Sequence, residues 1–113
     1  MKNKDKVLTC TIDRNLWHRG DGNEGAALMN KFNNFCCLGF LGAKVGVPEE
    51  AMENTLMPYD LPFEFRTKYP NIADREWDAF ALINDDEEIT DSEREQQLRA
   101  LAKKHGFRFR FVD

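Results

Sequence analysis

Cys36 and Cys37, adjacent and leading an apolar run, and His105 near the C-terminus are the residues from which nucleophilic chemistry would be built. A thiol attacks as its anion, so it needs a base and a setting that favours thiolate. A helix opening at Cys36 or Cys37 would supply unpaired amides that lower the thiol pKa, with His105 as the base. Trp17 and Arg19 form a second constellation, a flat ring with a nearby cation. Asn84, Asp85 and Asp86 join it, because polar residues at the C-terminal end of a strand lie where open sheets place ligands. The competing structural reading makes Trp17 core, pairs Arg19 with a surface acid and folds Asn84-Asp85 into a turn. Glu87 and Glu88 extend the acidic stretch and make a third candidate, a docking surface for a basic partner.

Charge is concentrated there. The 113 residues carry 16 Lys and Arg against 20 Asp and Glu, a net charge of −4. Seven of those acids and a single base, Arg94, lie between Asp85 and Glu95, so this window carries −6 and the remainder +2. A chain that is net acidic is a poor general nucleic-acid binder. The longest apolar run, Phe35 to Ala43, is far below the roughly 20 residues that span a bilayer, so no membrane partner is expected. Val7 to Ile12 is too short and polar for a signal peptide. Three cysteines with two adjacent predict free thiols in a reducing, cytoplasmic setting.

Several motifs carry less than their spelling. Gly20 to Gly25 reads G-x-G-x-x-G, but it does not follow directly on a strand, and Asp21 and Glu24 place negative charge where a phosphate would sit. Cys10, His18, Cys36, Cys37 and His105 lack the close ligand pairs of a zinc site, and the acidic block lacks the central Gly of an EF-hand. Neither metal nor cofactor is expected.

These residues must be positioned by a small set of elements. Lys2 to Lys6 reads as a frayed lead-in. Val7 to Ile12, rich in β-branched residues, predicts a first strand. Ala26–Met29 and Phe35–Cys37 flank an Asn-rich connection and predict a β-hairpin. Cys37 to Val45 predicts a buried central helix, stopped by Gly46 and Pro48, with Gly39 and Gly42 permitting close backbone approach. Residues 47–76 read as an irregular segment rich in Pro and aromatics, with a short helix over Glu49–Asn54; its Tyr59–Tyr69 part either packs on the core or roofs a pocket. Trp77 to Ile83 fits a buried strand, and a short helix equally well. Thr90 and Glu93 spell a capping box opening a helix to about Lys104, with Glu95 set to pair with Arg99. Phe107, Phe109 and Phe111 alternate with Arg108, Arg110 and Val112 as in a half-buried strand. The expectation is one α+β domain over 1–113: a mixed sheet with a hairpin, a buried central helix and a C-terminal βαβ unit.

Cys37-Leu38-Gly39-Phe40 resembles the cysteine box of NlpC/P60 peptidases, in which Cys opens a buried helix, and this resemblance is what implies a cysteine hydrolase using Cys36 or Cys37 with His105. A broader resemblance covers both ends and the centre of the chain. Ile12-Asp13, Trp17-His18-Arg19-Gly20, Cys36-Cys37-Leu38-Gly39-Phe40, Ile83-Asn84-Asp85-Asp86, Glu93-Arg94-Glu95 and Gly106 with Phe111-Val112-Asp113 are together similar to a set of small uncharacterised phage and prophage proteins. That resemblance implies a phage or prophage origin and a host-cytoplasm setting, and it brings no catalytic residues. The expected function is a non-enzymatic accessory protein that binds a host protein or complex, as an inhibitor of a host defence system. The alternatives are a small-molecule binder or sponge built around Trp17, Arg19 and Asn84–Asp86, and the cysteine hydrolase.

Overall fold

Alternation of side chains sets the sheet. In β1 (Leu8–Asp13), Cys10 and Ile12 are buried while Thr11 is exposed; in β2 (Phe107–Val112), Phe107 and Phe109 are buried while Arg108 and Arg110 face solvent. The two strands pair in parallel, from Leu8 opposite Phe107 to Asp13 opposite Val112. One face therefore presents Leu, Cys, Ile and Phe to the core, and the other presents Thr and Arg to water. The computed structural model describes residues 7–19, 27–30, 34–53 and 55–113.

Between the strands run α1 (Cys37–Val45), α2 (Glu49–Met52), a 3₁₀ turn (Pro58–Asp60), α3 (Phe63–Arg66), α4 (Asp74–Asp85) and α5 (Asp91–Lys104). α1 packs on β1, α5 on β2, and α4 lies against both helices. The product is a two-layer α+β domain with one continuous core. Phe80 of α4 is at its centre, with ring centroids 5.6 Å from Trp77, 5.7 Å from Phe107 and 6.0 Å from Phe109. The series continues through Phe109–Phe111 and ends on Trp17, 5.0 Å from Phe111. Gly39 is required where α1 crosses the 27–29 segment, because a Cβ there would lie 1.7 Å from the Leu28 carbonyl oxygen.

Several expectations hold and others are corrected. The central helix, the helix to Lys104 and the Thr90–Glu93 capping box form as read, and Gly46 ends α1 at φ 97°. Trp77–Ile83 is helical, which removes the C-terminal βαβ unit. Trp77, Phe80 and Asn84 share one buried helical face, whereas a strand would have put Trp77 and Phe80 on opposite faces. The partner of β2 is β1 instead, and the sheet is purely parallel, not mixed. Of the expected hairpin, only an isolated antiparallel bridge, Met29 with Phe35, is present among the described residues; its connecting residues 31–33 lie outside them, as do Lys2–Lys6 and Gly20–Gly25. The 47–76 segment is not irregular throughout, since Pro48, Pro58 and Pro62 sit at the starts of α2, the 3₁₀ turn and α3, where a missing N–H costs nothing, while Pro70 lies in the irregular stretch before α4. Among the described residues, no helix is long and apolar enough to cross a membrane.

Glu95 of α5 ties the ends of the two strands together. The Arg14 guanidinium donates from Nε to Glu95 Oε2 at 2.6 Å and from a terminal nitrogen to Oε1 at 2.9 Å, and reaches Asp113 at 3.0 Å. The expected partner Arg99 stands off at 3.8 Å, because both carboxylate oxygens are already engaged by Arg14. The Arg14 bonds hold the Glu95 carboxyl below its ordinary 4.5. A depressed carboxyl pKa contributes stability above the unfolded value and loses it as pH falls through the folded one. Glu95→Gln is therefore expected to cost about 1–2 kcal/mol near neutral pH, a buried-pair value reduced because Arg14 is about a third exposed. Urea midpoints of the two proteins should converge as pH drops below 4.5; a gap that stays constant into acid would contradict this.

Candidate functional site

Asn84, near the end of α4, is 1% exposed and joins three separate parts of the chain. Its Oδ1 accepts from the Trp17 indole Nε1 at 2.8 Å and from the Cys37 backbone amide at 3.0 Å. Its Nδ2 donates to the His18 carbonyl at 3.1 Å and to Asp85 Oδ1 at 2.9 Å. A side-chain amide has two acceptor positions and two donors, and all four are used. Its orientation is fixed by chemistry: a flipped amide would aim its NH₂ at two other donors. The bond to Cys37 also explains how α1 starts. Cys36, its N-cap residue, makes no side-chain cap, and Asn84 supplies the missing acceptor from another helix.

The second layer is ionic. The Arg19 guanidinium lies 4.3 Å over the Trp17 ring. Its Nε is 3.1 Å from Asp91 Oδ1, but the N–H is not aligned for a hydrogen bond, so this contact is coulombic. Arg94, 5% exposed, donates to the same Asp91 oxygen and to the Asp86 carbonyl. Asp86 Oδ1 accepts from the Glu88 amide at 2.9 Å, and Glu93 accepts from the Thr90 amide at 2.9 Å. Trp17, Arg19, Asn84, Asp85 and Asp86 are thus brought together as the sequence reading grouped them. Much of their polar capacity is committed internally: Trp17 is core, and Asp85 and Asp86 hold structure. Glu87 and Glu88 remain exposed on a loop whose two ends are tied down.

Cys36, Cys37 and His105 are not joined. All three cysteines are free and buried. Burial pushes the Cys36 thiol up to about 12 and Cys37 well above its ordinary value, with the Asp85 charge adding to both. Amides of Gly39 and Leu38 pull the Cys36 thiol the other way but do not offset desolvation. The expected activation by a helix start is therefore reversed, since an amide stabilises thiolate only where burial does not penalise the anion more. His105 Nε2 is 3.1 Å from Glu76 Oε1, and its ring centroid lies 6.1 Å from that of Phe80 at a tilt of 48°. Among the described residues, no group of three or more His, Cys, Asp or Glu is arranged to hold a metal ion.

The roof expected over Trp17 and Arg19 lies elsewhere. Tyr59 and Tyr69 line a cleft of about 290 Å³ with Arg66, Asn71, Asp74 and Trp77. Tyr69 donates its hydroxyl to the Leu38 carbonyl at 2.8 Å, while Tyr59 donates to Asp78 at 2.6 Å, which helps push its pKa up to about 12. A second groove, of about 450 Å³, follows Gly106–Phe109 between Val7 and the α5 cations Arg99 and Lys103. Sequence reasoning missed this one. Its signal was two bases one helical turn apart, just before a strand with outward-facing arginines.

Asn84→Ala would leave the Trp17 indole, the Cys37 amide and the His18 carbonyl without their partner, a cost of about 3 kcal/mol or more. Cys36 and Cys37 in the wild type should then react with a thiol reagent only through opening of the fold, and Asn84→Ala should accelerate labelling by about two orders of magnitude. Rapid labelling of the folded wild type would show that the thiols are not sealed by this network.

Comparison with known proteins finds no matching family, no matching curated protein and no matching solved structure.

Proposed function

We propose that this protein is a non-enzymatic accessory protein of phage type that binds a host macromolecule and inhibits a host defence system through the acidic loop at the head of α5. The observation that carries this reading is the pair Glu87 and Glu88, exposed between an end held by Asn84 and Arg94 and an end held by the capping box. A loop already ordered before binding loses little conformational entropy when it docks, and its charge steers a basic surface toward it. Glu87→Lys/Glu88→Lys leaves the internal bonds of Asp85 and Asp86 in place. The double variant should melt within a few degrees of wild type while losing the protein captured from bacterial lysate at low salt. Equal capture by both proteins would overturn the reading.

A second reading, a small-molecule binder, is favoured by the Tyr59–Trp77 cleft, whose volume falls at the lower end of ligand sites. Its two tyrosines, Arg66 and Asp74 offer both aromatic faces and opposite charges. A ligand there should shift the backbone amide resonances of residues 66–77. A metabolite panel that moves none of them removes this reading.

A further inference from the structure

Among the described residues, no third strand pairs with the outer edge of β2. A two-stranded sheet leaves each strand with one unpaired side, and among the described residues the backbone of residues 107–111 makes no hydrogen bond beyond its ladder with β1. The groove of about 450 Å³ runs along this strand. Among the described residues its charged lining is cationic: Arg99, Lys103 and Arg108. Lys103 and Arg108 have no ion-pair partner among the described residues, and the Arg99 carboxylate contact, Glu95 at 3.8 Å, is already held by Arg14 at 2.6 Å. No Asp or Glu among the described residues lines the groove.

We infer that this edge accepts an extended acidic peptide segment of a partner protein, added as a third strand beside β2. The unpaired backbone supplies the pairing that holds a strand, and Arg99, Lys103 and Arg108 select acids at the positions facing them. A second copy of the chain is disfavoured as an edge-to-edge occupant, because Arg108 and Arg110 would meet their own counterparts. Single-stranded nucleic acid is disfavoured because Phe107 and Phe109 are buried and offer no face on which bases could stack. This surface goes beyond the acidic-loop reading and does not depend on it.

The test uses the full chain and a pooled set of acidic peptides of about seven residues, long enough to pair along β2, with alternate positions fixed as Glu and the others varied among Val, Ile and Thr. Binding peptides should slow hydrogen exchange at outward-pointing amides within residues 107–111. Methylating alternate peptide nitrogens keeps the charge but removes strand pairing, and should weaken binding about tenfold or more; Lys103→Glu/Arg108→Glu should do the same. Both side chains are exposed, and circular dichroism checks that this variant folds. Arg108→Lys, which keeps the charge, should retain binding. Glu87→Lys/Glu88→Lys should also retain it, so failure here leaves the acidic-loop reading standing. Absence of binding across the pool overturns the inference. Equal binding of methylated peptides, or tighter binding of an oligothymidylate at the same residues, overturns it too and identifies a general polyanion surface.

Discussion

A buried side-chain amide with no spare hydrogen-bonding capacity holds this fold in register. Asn84 joins the segment after β1, the first turn of α1 and the last turn of α4, regions far apart in the chain. Only an amide meets the requirement, since the site presents two donors on one side and two acceptors on the other. Aspartate lacks the donors, and leucine would leave the Trp17 indole, the Cys37 amide and the His18 carbonyl without this partner, where each unpaired buried group costs about 1–3 kcal/mol. Glutamine carries the same groups one methylene further from the backbone, which moves them off the positions these four bonds require. The buried network consequently specifies one arrangement of the three segments, where apolar packing alone tolerates small shifts.

From that point outward the structure follows from geometry. The strands lie at opposite ends of the chain and pair in parallel, so everything from Arg14 to Gly106 is their connection. Parallel neighbours require a crossover, and here α1, α4 and α5 together form the layer that covers the apolar face. Phe80 fills the centre of this layer while Trp17 closes its far end, which makes the indole both a packing residue and a donor to Asn84. Arg14, Glu95 and Asp113 then fasten the C-terminal ends of both strands to α5. Because the last strand pairs with the first, the sheet closes only once the intervening chain is collapsed, a topology with a large loop-closure cost.

Local patterns were legible in the sequence, and long-range partners were not. The capping box, the Gly46 stop and the Phe–Arg alternation each depend on residues a few positions apart, and each formed as read. Trp77–Ile83 was ambiguous because a seven-residue segment with six apolar residues fits both periodicities; what decides it is the opposing layer, which needs Trp77, Phe80 and Asn84 on one face and leaves Leu82 73% exposed. The constellation of Trp17, Arg19 and Asn84–Asp86 was recognised by residue type, but its role depends on burial. In the folded chain, the polar groups of Trp17 and Asn84 face each other rather than an open cavity. Cys36 and Cys37 show the same limit, since a helix start and a buried site shift a thiol in opposite directions and only the fold determines which dominates.

The distribution of charge has one physical origin. Acids at the start of α5 and lysines at its end both complement the helix dipole, so 14 residues, about 20 Å of helix, separate an acidic pole from a basic one. Arg94 and Arg19 neutralise part of the acidic pole from inside, which allows Asp85, Asp86 and Asp91 to serve the fold without mutual repulsion. No carboxylate performs the equivalent task for Lys103, Arg108 or Arg110 among the described residues. Unscreened cations on an open strand repel a second copy of the same edge, the ordinary defence of a sheet against aggregation. The same cations lower the free energy of an acidic strand placed beside them, because a charge that excludes its like must attract its opposite at the same distance. Protection of the edge and selectivity for a partner are therefore one electrostatic property, and strengthening either by adding a base would strengthen both.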